Sequence, residues 1–188
     1  MKVFVTGTSS FIGVELLRLC KSRGVEVSGI DLVENELPNC VVADICSPKI
    51  SDHIPTGVDA VIHLAAVSRD PDCRDKALKC FESNVMGTLN LIEAAKGKAA
   101  KQFIFASSEW VYDNFQEGIP KTEEDPINIA NHTSEYALSK LVSEANLRQK
   151  FEHGFCPTTI LRFGIIYGPR KGNWSAVESI FNSVATQD

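Results

Sequence analysis

Short apolar runs alternate with amphipathic stretches along the whole chain. Runs rich in β-branched residues predict strands, and their bounds are 2–6, 25–30, 41–42, 61–65, 103–106 and 158–163. Apolar residues at helical spacing predict the intervening helices, which cover 12–23, 74–96, 134–152 and a final segment from about Trp174, with a short helix within 47–54. The polar segment 113–131 contains two prolines and is expected to be a loop. The pattern therefore predicts strands and helices in regular alternation.

The predicted strands are continuous apolar runs. Such strands are typical of a parallel sheet that helices cover on both faces. Right-handed crossovers restrict the topology to a doubly wound sheet, whose simplest strand order is 3-2-1-4-5-6. With 188 residues, the chain suffices for one ordinary domain and is too short for two large ones. We therefore expect an α/β fold of the Rossmann type.

Composition and charge exclude several classes of protein. Hydrophobic residues make up 44% and charged residues 23%, as in globular rather than disordered proteins. The net charge of -5 gives no reason to expect nucleic acid or an anionic membrane as a partner. No apolar run approaches a membrane span, and the run at 2–6 is too short for a signal peptide, so we expect a cytoplasmic protein. The six cysteines and four histidines lack metal-like spacing, so we expect reduced thiols and no metal.

The loop between the first strand and the first helix is the first candidate binding site. Gly7 allows a tight turn out of the strand, and Gly13 lets the helix pack closely on the sheet. The backbone N–H groups at the helix start can hold a pyrophosphate. Asp31 closes the second strand, where a carboxylate accepts the ribose hydroxyls of adenosine. No Arg or Lys follows within 31–37, which favours NAD over NADP; the alternative is a strand-ending turn with an Asp cap.

Tyr136 and Lys140 form the second candidate site. They stand four residues apart in the predicted helix 134–152 and therefore face the same way. A phenol has a pKa of about 10 and is a poor base at neutral pH. We expect the nearby ammonium to lower the pKa of Tyr136 by roughly one to three units, into a useful range. The alternative is an ordinary amphipathic helix.

Seven segments together resemble the extended short-chain dehydrogenase/reductase family, specifically its nucleotide-sugar epimerase/dehydratase group. They are TGTSSFIG (6–13), Asp44-Ile45, VIHLAA (61–66), NVMGTLNLIEAA (84–95), SSEWVY (107–112), the YxxxK motif of Tyr136 and Lys140, and LRFGIIYGP (161–169). The resemblance covers the whole chain. One departure is Ser10, which replaces the middle glycine of the first motif. Serine there either costs cofactor affinity or adds a hydroxyl donor for the phosphates.

The resemblance implies a complete set of site residues. Ser108 aligns with the catalytic Ser/Thr, beside Tyr136 and Lys140, and Asn84 aligns with an Asn that braces the active site. Lys140 also carries donors for the nicotinamide ribose. The residues that the resemblance assigns to NAD are Gly7, Ser10, Phe11, Ile12, Gly13, Asp31, Asp44, Ile45, Leu64, Ala65, Ala66, Asn84, Tyr136 and Lys140.

Two residues bear on the reaction, which in this family begins with hydride transfer from a carbinol carbon to NAD while the tyrosine removes the hydroxyl proton. Trp110 stands where dehydratases carry a glutamate, so epimerase and dehydrogenase activities rank above dehydratase activity. Glu109, one residue earlier, is expected on the opposite face of the strand as a surface charge, with a role as an acid as the alternative. The resemblance implies a sugar or a nucleotide sugar as the substrate, with a non-nucleotide sugar or another alcohol as the alternative.

Ile165 bears on the choice of substrate. It stands where nucleotide-sugar epimerases carry an asparagine, which favours an unusual nucleotide sugar or a substrate without the nucleotide. Arg69 and Arg74 either meet a phosphate or form a solvated loop face, and we favour the solvated face. His63 lies in the strand that matches the cofactor-lining strand, and we expect a structural role for it.

The resemblance also bears on domains and assembly. Family members are longer, so residues 1–170 are expected to form the NAD-binding domain and 171–188 the start of the substrate-binding part. A dinucleotide-binding module without turnover of its own is the alternative to an enzyme. In the family, the helices equivalent to 74–96 and 134–152 pair across a dimer, which predicts a homodimer.

Overall fold

The predicted alternation of strands and helices is present in the computed structural model, which describes residues 1–34, 39–112, 119–168 and 175–185. The strands are β1 (Lys2–Thr6), β2 (Glu26–Asp31), β3 (Cys40–Val42), β4 (Ala60–His63), β5 (Phe103–Ser108) and β6 (Thr158–Phe163). The α-helices are α1 (Phe11–Ser22), α2 (Asp70–Cys73), α3 (Ala77–Phe81), α4 (Gly87–Gly97), α5 (Glu135–Glu152) and α6 (Ala176–Ala185). Short 3-10 turns lie at Ile50–His53, Glu109–Tyr112 and Ile129–Asn131.

These strands form one parallel sheet in the order β3-β2-β1-β4-β5-β6, which confirms the predicted topology. Strand β1 lies at the centre and pairs with β2 on one side and β4 on the other. The direction of winding reverses between β1 and β4. A doubly wound sheet opens a crevice at this point, beyond the carboxyl ends of the strands. The fold therefore places a candidate site where β1 and β4 end.

The core lies on both faces of the sheet, as continuous apolar strands require. Successive side chains of a strand point to opposite faces. Phe4 accordingly packs into the larger cluster with Leu91 and Leu147, which α4 and α5 contribute. Val3 and Val5 instead pack into the smaller cluster around α1. Both faces of β1 are therefore covered, which is why its sequence shows no polar alternation.

The predicted single helix 74–96 is wrong in its first part and at its centre. Asp75 has a φ of 57°, a left-handed conformation that an α-helix does not accommodate, so α3 begins only at Ala77. A π-helical turn at Glu82–Met86 then separates α3 from α4. Such a turn inserts one residue into the helix and is frequent at functional sites. This turn contains Asn84.

Several other predicted bounds shift. Strand β5 runs two residues further than predicted and so includes Ser108. Within 47–54 the chain forms a 3-10 turn rather than an α-helix. Trp174, the predicted start of the final helix, lies outside the described residues, and α6 begins at Ala176. In the described part of the chain, no helix combines the length and apolarity needed to span a bilayer.

Candidate active site

A cleft of about 1190 Å³ opens beyond the carboxyl ends of the strands. It runs from the loop after β1 to the start of α5. Most of the residues predicted to form the site line it, namely Gly7, Ser10, Phe11, Ile12, Asp31, Asp44, Ile45, Leu64, Ala65, Ala66, Ser108, Tyr136 and Lys140. Gly13 and Asn84 lie behind the wall instead. The cleft thus joins the two candidate sites that the sequence suggested separately.

The two glycines of the first loop are required by its geometry. Gly7 has a φ of +80°, and a Cβ atom there would lie 2.8 Å from the backbone nitrogen of Ala65. A Cβ atom on Gly13 would lie 2.1 Å from the carbonyl oxygen of Gly7. Side chains at these positions would displace backbone. The close turn and the close helix packing match the roles predicted for both residues.

Ser10 serves as the N-cap of α1. Its φ of -69° and ψ of 163° are extended, so the position accepts a residue other than glycine. The hydroxyl donates to the carbonyl oxygen of Gly7 (2.7 Å) and accepts from the N–H of Gly13 (3.0 Å). Because the hydroxyl proton is directed at Gly7, the arrangement favours a cost in cofactor affinity over an added donor for phosphate. The same cap also occupies one amide at the start of the helix.

Asp31 is tied to the first loop. One carboxylate oxygen accepts from the N–H of Ser9 at 2.8 Å, and the other accepts from the N–H of Val33 at 3.3 Å. Because each carboxylate oxygen has two lone pairs, both retain acceptor capacity. Asp31 also lines the cleft. A carboxylate held in this way has acceptors left for a pair of hydroxyl groups, and its contact with a ribose stays a prediction.

Ser108, Tyr136 and Lys140 come from two elements that meet at the far end of the cleft. Ser108 ends β5, while Tyr136 and Lys140 lie in the first two turns of α5. The side chain of Ser108 lies close enough to the Tyr136 phenol to lower its pKa in part. Ser134 caps α5 by accepting from Ala137 N–H at 3.2 Å. The structure thus places the three predicted residues side by side.

Lys140 is buried, with 4% of its surface exposed. Its ammonium donates to the carbonyl oxygen of Ala106 at 2.8 Å and lies 5.9 Å from the centre of the Tyr136 ring. Burial lowers the pKa of Lys140 to about 8, although Cys80, Cys73 and Glu144 oppose the shift. At neutral pH the side chain therefore still carries its charge, but the charge is poorly solvated.

The expected lowering of the tyrosine pKa is wrong for these residues. Burial raises the pKa of Tyr136 above its ordinary value of 10, and the hydrogen bond from Ser108 opposes this only in part. The physical reason is that burial removes water from the phenolate and so penalises the charged form, which is the largest of the effects on this group. The phenol thus holds its proton at neutral pH and is a hydrogen-bond donor to an oxygen in the cleft.

Asn84 braces the wall of the cleft and does not reach its interior. Its amide oxygen accepts from Val67 N–H at 2.8 Å, and its amide nitrogen donates to Val67 O and Ser139 Oγ, each at 3.0 Å. The residue is only 2% exposed, and the π-helical turn aims it at these partners. The predicted bracing role fits this geometry, whereas the predicted contact with NAD does not.

His63 is the centre of a buried hydrogen-bond chain. Thr88 donates to Asn84 O at 2.6 Å, so its oxygen accepts from Nε2–H of His63 at 2.9 Å. Nδ1 then accepts from the hydroxyl of Thr6 at 2.7 Å, whose oxygen accepts from Ala65 N–H at 3.2 Å. Burial lowers the pKa of His63 to about 3, so the imidazole is neutral. These contacts match the predicted structural role.

Glu109 lies on the wall of the cleft, so the prediction that it points away from the site is wrong. Strand β5 ends at Ser108, and the 3-10 turn that follows breaks the alternation of side chains. A Cβ atom on Gly164 would lie 3.2 Å from the Glu109 carboxylate. Trp110 also lines the cleft and packs edge-on against Tyr136 with ring centres 6.5 Å apart. No periodic pattern in the sequence signals where a strand gives way to such a turn.

Two arginines of the wall are paired with carboxylates. Arg69 binds Asp72 and Arg74 binds Asp70, each with a shortest contact of 2.6 Å. These pairs favour the solvated loop face over a phosphate site. Ile165 lines the cleft as an apolar side chain. Within the described ranges, no cluster of His, Cys, Asp or Glu is arranged to hold a metal ion.

Comparison with known proteins agrees with this geometry. The family model described as "NAD dependent epimerase/dehydratase family" matches residues 3–187. A UDP-glucose 4-epimerase of Yersinia pestis is 32% identical over 79% of this chain and 48% of its own length. A UDP-N-acetyl-alpha-D-glucosaminuronate decarboxylase of Bacillus cytotoxicus is 31% identical over 90% of this chain and 56% of its own. The chain therefore spans about half the length of these two relatives.

Solved structures match this chain over a similar share of their own length. A short-chain dehydrogenase/reductase superfamily protein of Agrobacterium tumefaciens with bound NAD is 35% identical, with a TM-score of 0.75 over 87% of this chain and 49% of that one. The UDP-glucose 4-epimerase of Thermus thermophilus, in complex with NAD, is 26% identical. Its TM-score is 0.84 over 97% of this chain and 61% of that one.

Proposed function

Because the chain belongs to the NAD-dependent epimerase/dehydratase family, we propose that it binds NAD and catalyses hydride transfer at a hydroxyl-bearing carbon of a sugar or nucleotide sugar. One observation carries the proposal. Ser108, Tyr136 and Lys140 meet at one end of a cleft whose other end is the glycine loop after β1. Hydride transfer needs a cofactor site and a proton-transfer group in the same cavity, and this cleft has both arrangements at its two ends.

The chain's own residues fit NAD at several points. Gly7 and Gly13 shape a backbone cradle that a Cβ atom would fill, at the start of α1. Asp31 offers a carboxylate to the adenosine ribose, and Asp44 and Ile45 line the same end. Leu64 to Ala66 line the middle of the cleft. When bound, NAD supplies the acceptor for the hydride.

Three side chains would then act on the substrate. In the oxidation, the phenolate form of Tyr136 takes the proton of the substrate hydroxyl, and in the reduction the resulting phenol gives that proton back to the substrate oxygen. Ser108, whose side chain lies near the phenol, hydrogen-bonds the substrate oxygen and fixes its position. Lys140 places a buried positive charge behind the ring, which offsets the cost of forming a phenolate, and it offers donors to the nicotinamide ribose.

Trp110 favours epimerisation or simple dehydrogenation over dehydration. An indole cannot act as the base that elimination of water requires, and Trp110 occupies the wall beside Tyr136. We assign residues 1–170 to the NAD-binding domain and 171–188 to the start of the substrate-binding part. A homodimer formed through α4 and α5 is part of the same proposal.

A second candidate is dinucleotide binding without turnover by this chain alone. The observation that favours it is the exposure of apolar side chains at the substrate end of the cleft, where Trp110 is 47% and Ile165 57% exposed. A substrate there would be only partly enclosed.

Calorimetric titration with NAD, followed by incubation with a panel of UDP-sugars and free sugars, separates the two candidates. The enzyme proposal requires both NAD binding and an oxidised or epimerised product. NAD binding with no product from any member of the panel supports the second candidate. Absence of NAD binding contradicts both.

A further inference from the structure

Glu144 carries the most deeply buried carboxylate that the mechanism above does not use. Its side chain is 0% exposed and lies between α5 and the strands β5 and β6. An ionised carboxylate in the interior is costly unless hydrogen bonds and an opposite charge compensate it. The compensation here is nearly complete, and it comes from three different elements.

The carboxylate is bound on both of its oxygens. Oε1 accepts from Ser107 Oγ at 2.5 Å and from Arg162 Nε at 3.0 Å. Oε2 accepts from Arg162 at 2.7 Å and from Arg148 at 3.1 Å. The contact with Arg162 is a bidentate fork, which fixes direction as well as distance. Glu144 therefore connects the helix α5 to both β5 and β6.

Arg162 extends this connection to the turn after β5. It pairs with Ser107 in the register of the two strands, and its side chain is only 6% exposed. The guanidinium also stacks over the ring of Tyr112 at 4.6 Å. Tyr112 ends the turn that carries Glu109 and Trp110 on the wall of the cleft. One ion pair thus fixes the strand end, the turn and the helix relative to one another.

The elements joined in this way are those that carry the three catalytic residues. Ser107 directly precedes Ser108, and neighbouring strand residues point to opposite faces, so holding the Ser107 hydroxyl fixes the direction of Ser108. On α5, Glu144 lies one turn after Lys140 and two turns after Tyr136, on the same side of the helix.

Stability alone is a weak reason for this arrangement. Replacing a buried ion pair with apolar residues of similar volume is often neutral or stabilising. A directional fork between elements, by contrast, holds side chains at the sub-ångström precision that proton and hydride transfer need.

We propose that Glu144, paired with Arg162, is a positioning residue that sets the distance and orientation between Ser108 on β5 and Tyr136 and Lys140 on α5. The inference rests on the proposed function, because it assigns Glu144 a role in that same site. It predicts that loss of the ion pair slows the chemical step far more than it weakens cofactor binding, since the glycine loop and Asp31 lie at the other end of the cleft and only Lys140 would contact both the cofactor and this ion-pair network.

The test compares Glu144→Gln and the double variant Glu144→Leu with Arg162→Met against wild type and the surface control Glu152→Gln. Thermal unfolding, NAD affinity, kcat and KM are measured on the panel of UDP-sugars and free sugars. We expect both ion-pair variants to keep NAD affinity within about threefold and to lose at least about tenfold in kcat with little change in KM. The double variant separates positioning from stability, because it should regain thermal stability and not kcat.

The proposal is overturned if the folded double variant, or Glu144→Gln, turns over as fast as the Glu152→Gln control. Absence of turnover in the wild type contradicts the proposed function instead. In that case, crystal structures of wild type and the double variant test the positioning role, because this role requires that Ser108 and Tyr136 move apart in the variant. An unchanged contact between them contradicts it.

Discussion

The ammonium of Lys140 donates a 2.8 Å hydrogen bond to the backbone carbonyl of Ala106. The bond anchors a charge from α5 on the strand β5. The ammonium is poorly solvated there, and burial lowers the pKa of Lys140 from 10.5 to about 8. The folded state therefore favours the neutral amine. The stability that the Lys140 side chain gives the fold is present above pH 10.5 and is lost as the pH falls through about 8.

At neutral pH, Lys140 thus costs the protein stability. We predict that Lys140→Met raises the free energy of unfolding at neutral pH by about 1–2 kcal/mol, a figure that allows for the lost bond to Ala106. Urea denaturation measures this, with the exposed Lys121→Met as control. A less stable Lys140→Met protein would show that the bond to Ala106 outweighs desolvation.

If the chain binds NAD as proposed, Ser10 should compete with a phosphate of the cofactor for the start of α1. Its hydroxyl occupies the N–H of Gly13 at 3.0 Å. We predict that Ser10→Gly tightens NAD binding by about two- to tenfold, the worth of one hydrogen bond. The helix should lose only a few tenths of a kcal/mol, because glycine is itself a tolerated N-cap. Calorimetry decides the point, and weaker NAD binding by Ser10→Gly would contradict it.

Asp31 should set the choice between NAD and NADP. Its charge repels a 2′-phosphate, whereas an amide does not. Asn keeps an oxygen for the N–H of Ser9, which Asp31 binds at 2.8 Å, so the loop should survive the change. We predict that Asp31→Asn lowers the ratio of NAD to NADP affinity by at least about tenfold, which fluorescence titration with each cofactor measures. An unchanged ratio would mean that Asp31 does not face the ribose.

His63 should make the fold sensitive to acid. Burial lowers its pKa from 6.5 to about 3, so the folded state favours the neutral ring. The stability from this group is complete above pH 6.5 and is lost as the pH falls through about 3. We predict that the free energy of unfolding falls between neutral pH and about pH 4.5, and that it falls by about 2–3 kcal/mol more in wild type than in His63→Gln. Equal losses in the two proteins would count against a neutral, buried imidazole.

The sequence predicts the scaffold better than the details of the site. Strand β6 has its predicted bounds because a β-branched run lies between Pro157 and Gly164. The handedness of crossovers restricts the topology to a doubly wound sheet, and the observed strand order is the simplest one that this topology allows. The glycine loop and Asp31 are predictable because backbone sterics and strand ends leave sequence signatures.

The features that the sequence does not predict depend on the three-dimensional surroundings of a residue. Burial of Tyr136 by distant segments decides whether its pKa rises or falls, and the spacing between Tyr136 and Lys140 carries no information about that burial. The π-helical turn around Asn84 and the turn that carries Glu109 interrupt regular periods, so period-based prediction passes over both. Glu144 looks like an ordinary polar position on an amphipathic helix until β6 brings Arg162 against it.

Turnover by Tyr136→Phe tests the central claim most directly. Wild type and variant are saturated with NAD and mixed with a UDP-sugar or free sugar that the wild type converts, and product is quantified by NMR. The account predicts that Tyr136→Phe binds NAD within about threefold of wild type and loses about a hundredfold or more in kcat. A variant that binds NAD and turns over at the wild-type rate would contradict the assignment of Tyr136 as the group that moves the proton.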